Sequence, residues 1–214
     1  MKPHIELGAY GWQHAHWLNT FYPADLPEDW QLTYYSNAFN TVLVPAAYWQ
    51  AKDTLDCAGW LDAVHPGFQF YVECHAGMLA HVPLAELTDN LKNLGPRLSA
   101  LVFLDEKQPL SSVEREQFIT LVDSLEVAVL GSTVLPLDKV QNIWRLDNPQ
   151  TASFAWIEND LIDLRSARKI IDDFASLHKD QAAIIPDATM IAHDPALQAS
   201  DLSKFRALLE IMGY

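Results

Sequence analysis

The sequence predicts an α/β fold built on a parallel sheet, and three observations predict it. Short apolar runs recur through the 214 residues and alternate with stretches of helical spacing. The runs are dominated by Val, Ile, Leu and Phe, as strands buried on both faces are. No Gly/Ser linker or charge block divides the succession, so one domain over 1–214 is expected.

The expected strands are Ile5–Ala9, Thr41–Val44, Phe68–Cys74, Ala100–Leu104, Val127–Leu130, Asn142–Leu146 and Ala182–Ile185. Between them, Leu84–Leu94 carries leucines at 84, 87, 91 and 94, one helical face. Ser111-Ser112-Val113-Glu114 reads as the capped start of a helix running to Leu125. Leu164–Leu177 sets Ala167, Ile170, Ile171, Phe174 and Leu177 on one side. Leu202–Met212 closes the chain in the same way.

Composition removes several function classes. Half of the residues are hydrophobic and a fifth are charged, the balance of a globular protein. Fourteen basic residues against 28 acidic ones give a net charge of -14. That sign repels phosphate backbones and anionic lipid surfaces, so neither nucleic acid nor membrane is expected as a partner. No apolar run is long enough to span a bilayer, and Met1-Lys2-Pro3-His4 lacks a signal-peptide apolar region; a cytoplasmic protein is expected. Cys57 and Cys74 lack metal-knuckle spacing and read as reduced, partly buried thiols. Neither G-x-G-x-x-G, a Walker loop nor G-x-S-x-G occurs, and no cofactor is expected. The basic run Arg165–Lys169 lies among aspartates and reads as a solvated, ion-paired helix face.

The first fifty residues are the most specific. Leu7-Gly8-Ala9-Tyr10-Gly11-Trp12 is followed by Phe21-Tyr22-Pro23, Trp30, Tyr34-Tyr35, Phe39-Asn40-Thr41-Val42 and Ala47-Tyr48-Trp49. This order resembles the YecE-like family, domain of unknown function 72, whose members open with a G-T-S-G-W-like strand, an F-Y-P loop, a W-x-x-Y-Y helix and a T-V-E-x-N strand. Pro66–Glu73 is similar to the family's third strand, and Trp144-Arg145-Leu146-Asp147 to its L-R-L-H strand. The resemblance implies a TIM-type β/α barrel and no established reaction. It also implies a shortened, divergent member. A single helix, Val113–Leu125, stands where the family has an E-F-R-H strand and a further helix, so the barrel is expected to be reduced or irregular around the fifth strand. A full eight strands requires Phe154–Ile157 to form one.

Functional groups of such barrels sit at the C-terminal strand ends. Strand alternation sends Phe68, Phe70 and Val72 toward the helices, and Gln69, Tyr71, Glu73 and His75 toward the barrel or its mouth. Set against the family pattern, most inward polar positions have changed: Ala9-Tyr10 replaces a Ser-Thr pair, Leu43 and Pro45 an acid and an asparagine, Glu73 a lysine, Leu104 a glutamine and Asp147 a histidine. Arg145 keeps its family identity.

The polar residues expected at the mouth are Glu73, His75, Asp105, Glu106, Arg145, Asp147 and Asp187. Glu73 and Asp105 suit an acid/base pair, and Arg145 suits a bidentate hold on a carboxylate or phosphate. Arg145 pairing with one of these acids would instead plug the mouth. Trp12 and Tyr48, at strand ends, suit ligand contact and packing equally, whereas Phe21, Trp30 and Tyr34 suit packing. His75, Glu73, Asp105 and Asp187, with His14 and His16 nearby, are metal-ligand types without a metal signature, and an open pocket is the better reading. Two functions follow. One is a barrel that binds a small molecule or protein partner after loss of the family's polar site. The other is an enzyme acting on a sugar-like or phosphorylated metabolite by carboxylate acid/base chemistry, metal-assisted or not. An aromatic rim suits a homodimer surface equally well.

Overall fold

The computed structural model describes residues 4–49, 56–80, 83–104, 110–131, 137, 140–158, 163–177 and 187–214. In chain order its strands and α-helices are β1 (His4–Tyr10), α1 (Gln31–Ser36), β2 (Thr41–Val44), α2 (Cys57–Ala63), β3 (Gln69–Cys74), α3 (Leu84–Leu94), β4 (Leu98–Phe103), α4 (Ser112–Leu125), β5 (Ala128–Leu130), β6 (Val140–Gln141), β7 (Ile143–Trp144), β8 (Phe154–Glu158), α5 (Leu164–Ser176), β9 (Asp187–His193) and α6 (Ala199–Met212). Two compact units divide the chain: Met1–Val42 with Asn142–Tyr214, and Leu43–Gln141. The unit boundary falls within β2. The fold class is α/β, of the TIM-like barrel kind.

In the first unit the strand order is β2-β1-β9-β8-β7. β1 and β9 run parallel, with His4 opposite Asp187 and Ala9 opposite Ala192. β9 also pairs with β8, Trp156 opposite Ile191 and Glu158 opposite His193. The aromatic opening segment closes over β1. The Tyr35 hydroxyl accepts from Ala9 N at 2.9 Å and donates to the Thr41 carbonyl at 2.8 Å, tying the strand to the end of the α1 loop. At Gly8 a Cβ would lie 2.3 Å from the Thr41 carbonyl oxygen, so the close approach of the two backbones requires glycine.

In the second unit the order is β6-β5-β4-β3-β2. β3 alternates as expected: Phe70, Val72 and Cys74 are buried, while Gln69, Tyr71 and Glu73 are half-buried. Phe70 stacks on Trp60 of α2 with ring centroids 6.1 Å apart. The β3–β4 register slips at Ser99, whose hydroxyl donates to Gln69 Oε1 at 2.8 Å. α4 begins with the capping box read from the sequence: Ser111 Oγ accepts from Glu114 N, and Glu114 Oε2 accepts from Ser111 N.

Phe154–Ile157 does form a strand, so the sheet has nine strands among the described residues. The expected strand Asn142–Leu146 resolves into two short ones: β6 pairs with β5, and β7 pairs with β8. Ala182–Ile185 lies outside the described residues; the last strand is Asp187–His193, an apolar run that the reading of the sequence passed over. Cys57 and Cys74 are free and buried. Burial, the larger cause, and the neighbouring Asp56 push the Cys57 thiol up to about 12; burial and then Glu73 push Cys74 up as well. No helix among the described residues is long and apolar enough to cross a membrane.

Candidate functional site

The candidate site lies in the first unit, at the C-terminal ends of β1, β7, β8 and β9. Its geometry follows from register. Trp144 pairs with Ala155, so the next residue, Arg145, stands level with Trp156. Trp144 packs on Phe174 of α5 with centroids 5.6 Å apart, which leaves Arg145 on the other face of the sheet. Trp156 and Glu158 share a face because they are two residues apart in β8. Arg145, Leu146, Asp147, Trp156 and Glu158 line a cleft of about 290 Å³. Arg145 is half-buried, Trp156 is buried, and Leu146, Asp147 and Glu158 are exposed.

Behind the cleft stands a layer of rings. Ala9 is opposite Ala192, so Tyr10 and His193 are neighbours across β1 and β9. Their rings meet edge-on at 4.7 Å. The His193 imidazole stacks on the Trp156 indole at 4.8 Å, and Tyr10 meets that indole edge-on at 5.4 Å. The indole is thereby fixed from two sides. Its Nε1–H is enclosed and finds no acceptor among the described residues.

His14 and His16 follow β1. His16 Nε2 lies 2.6 Å from the Leu197 carbonyl, which also accepts from Trp17 Nε1 at 2.7 Å. His14 packs on Trp17 at 4.2 Å. Burial lowers its pKa from 6.5 to about 4, with smaller contributions from His16 and His193, so His14 is neutral at neutral pH. Among the described residues no group of three or more His, Cys, Asp or Glu side chains is placed to hold a metal ion.

The residues singled out in the sequence fall into three sets. Arg145 and Asp147 line the cleft together. Glu73, His75 and Tyr48 belong to the second unit. There Glu73 Oε2 accepts from Ala46 N at 2.8 Å, at the head of the short turn Ala46–Tyr48. His75 Nδ1 lies 2.6 Å from the Ala76 carbonyl, and Tyr48 is half-buried. Asp105 and Glu106 lie outside the described residues.

One expectation needs correcting in placement. Asp187 was expected at a C-terminal strand end; it opens β9 instead, opposite His4 at the start of β1 and six residues before His193 at the other end. Trp12, for which ligand contact and packing were equally open, is buried, and its backbone carbonyl accepts from the Tyr22 hydroxyl at 2.6 Å. Sequence reasoning missed Trp156, Glu158 and His193. The signal was present in Phe154–Ile157: taken as a strand, its alternation and end would have put Trp156 and Glu158 on one face at the functional end.

Comparison with known proteins supports the same fold. The family model described as protein of unknown function DUF72 matches residues 6–128. A crystal structure of a DUF72 family protein from Thermotoga maritima superposes with a TM-score of 0.63 at 14% identity, over 97% of this chain and 99% of that one. A DUF72 family protein from Enterococcus faecalis gives 0.60 at 11% identity, over 97% and 98%. No curated protein matches the sequence.

Proposed function

The chain belongs to the DUF72 family, and we propose that it binds a small polar molecule in the cleft at the ends of β7 and β8. The observation that carries the reading is the cleft wall itself. One guanidinium, two carboxylates and an indole converge on about 290 Å³, near the lower end of small-molecule sites. Polar groups at the C-terminal strand ends are where barrels of this kind place their ligands. The rings of Tyr10 and His193 hold Trp156 in place, which favours a preformed site over one ordered on binding.

A thermal-shift screen tests this. Wild type and Arg145→Ala are compared against divalent metals, sugars, sugar phosphates, nucleotides and amino acids. The expected result is a concentration-dependent rise in Tm with one class, lost in Arg145→Ala. No rise with any class, or a rise that Arg145→Ala retains, overturns the proposal.

A further inference from the structure

We propose that the outer face of α1 and the turn before it docks a basic segment of another protein, one that lays Lys or Arg side chains over Trp30 and brings apolar residues of its own. The cleft takes no part in this contact. Glu28–Trp30 forms a 3-10 turn that runs on into α1, since Trp30 and Gln31 both keep helical backbone angles. Leu32, Tyr35 and Ser36 are buried on one side. Asp29, Trp30, Thr33, Tyr34 and Asn37 are exposed on the other, at the three- and four-residue spacing of one helical face. Packing was expected for both aromatic residues of that face. Tyr34 does meet Phe21 edge-on at 5.3 Å and Tyr22 at 5.8 Å, yet it is 38% exposed. Trp30 is 60% exposed, and among the described residues its indole makes neither a ring contact nor a hydrogen bond. A large indole left in water gives the fold little, and it is the side chain most enriched at the energetic centres of protein interfaces.

Charge decides the occupant. From Pro3 to Ala51 the sequence holds acids at Glu6, Asp25, Glu28 and Asp29 and neither Lys nor Arg. Asp25, Glu28 and Asp29 are exposed around the turn that carries Trp30. Glu28 accepts from Gln13 Nε2 at 3.3 Å, while Asp25 and Asp29 have no ion pair among the described residues. Arg206 of α6 reaches the far end of the helix, but there it donates to the Ala38 carbonyl, lies over the Phe39 ring at 5.8 Å and sits 3.7 Å from Glu210. A second copy of the chain brings the same acids and a net charge of -14, so self-association through this face is opposed. Nucleic acid and anionic lipid are repelled by the same sign. A small cation keeps most of its water against so exposed an indole and gains little there. A basic protein segment meets the carboxylates, stacks a cation on the indole and covers the rings with apolar side chains.

Fluorescence anisotropy of labelled synthetic peptides, titrated with the full chain, tests the proposal. The probes are an amphipathic Leu/Arg peptide, its Leu/Glu counterpart and a Ser/Arg peptide of the same charge. The Leu/Arg peptide is expected to bind at least about tenfold more tightly than either of the others. Trp30→Ala is expected to weaken it at least about tenfold, and Glu28→Gln with Asp29→Asn by a similar factor. Asp62→Asn with Asp123→Asn removes the same charge from exposed positions in the second unit and is expected to change affinity less than about twofold. All five positions are exposed, and circular dichroism melts check that each variant stays folded. If Trp30→Ala binds as wild type does, or both charge-reduced variants lose affinity equally, the peptide is held by overall charge and the proposal falls. It falls also if the Ser/Arg peptide binds as well as the Leu/Arg peptide, or if no peptide binds. A dimer in sedimentation velocity that Trp30→Ala dissociates would give the face to a second copy and overturn the basic partner.

Discussion

Two aromatic regions of the first unit use their polar tips in opposite ways. In the opening segment the buried rings are closed on themselves and their donors are met: Tyr22 donates to the Trp12 carbonyl, Tyr35 to the Thr41 carbonyl, and Trp17 to the Leu197 carbonyl. At the ends of β7 and β8, Trp156 lines a cleft with three charged side chains, and its enclosed N–H finds no acceptor among the described residues. Aromatic content alone therefore does not mark a ligand site. A ring whose polar atom is satisfied by backbone is part of the fold; one that lines a cleft beside charged side chains offers apolar surface for recognition.

The contrast is broken most severely at Gly8. In Gly8→Ala the new Cβ meets the Thr41 carbonyl oxygen, which is backbone and cannot swing aside. The expected loss is on the order of 4 kcal/mol, enough to leave much of the chain unfolded, and circular dichroism melts check it. Tyr35→Phe comes next. It strands Ala9 N and the Thr41 carbonyl together in the interior, at a cost of about 3 kcal/mol in denaturant titration. Ligand affinity at the cleft, measured on the folded fraction, is expected to stay within about twofold.

A smaller effect comes from His14. Its folded pKa of about 4 lies below the unfolded 6.5, so between these values the unfolded chain binds the extra proton. Stability from this group is complete above about 6.5 and falls as the pH drops toward 4. With allowance for its partial exposure the change is about 2 kcal/mol, and His14→Gln is expected to flatten the fall in Tm between those pH values. A steep fall unchanged in His14→Gln would assign the effect to other groups. Glu158→Gln has the smallest effect on folding. An exposed carboxylate at a strand end is expected to change stability by less than about 0.5 kcal/mol, while ligand affinity drops.

The fold was legible where local chemistry is strong. The Ser111–Glu114 capping box and the leucine face of Leu84–Leu94 set α4 and α3 to the residue or nearly so, because caps and helical periodicity are local signals. The alternation of Gln69–Cys74 was equally readable. The strands β6 and β7 were not. Each has two residues, and only pairing with different neighbours separates them, which no local pattern reports. Half of the cleft was visible, through Arg145 and Asp147. Its other half depends on β8 and β9, whose register brings Trp156, Glu158 and His193 to the same end of the sheet. Glu73 shows the converse: a carboxylate near a strand end that looks chemical in the sequence accepts from the Ala46 backbone N–H.

The most direct test of the central claim is an amide and indole nitrogen–proton correlation spectrum of the chain, titrated with the compound class that raises Tm in the thermal-shift screen. Its seven tryptophans give separate indole signals, and Trp156→Phe identifies the one that matters. The account predicts that the Trp156 indole signal moves on titration while those of Trp12 and Trp17 stay in place. Movement of the Trp12 or Trp17 signal with Trp156 unmoved would contradict it and put the ligand in the opening segment.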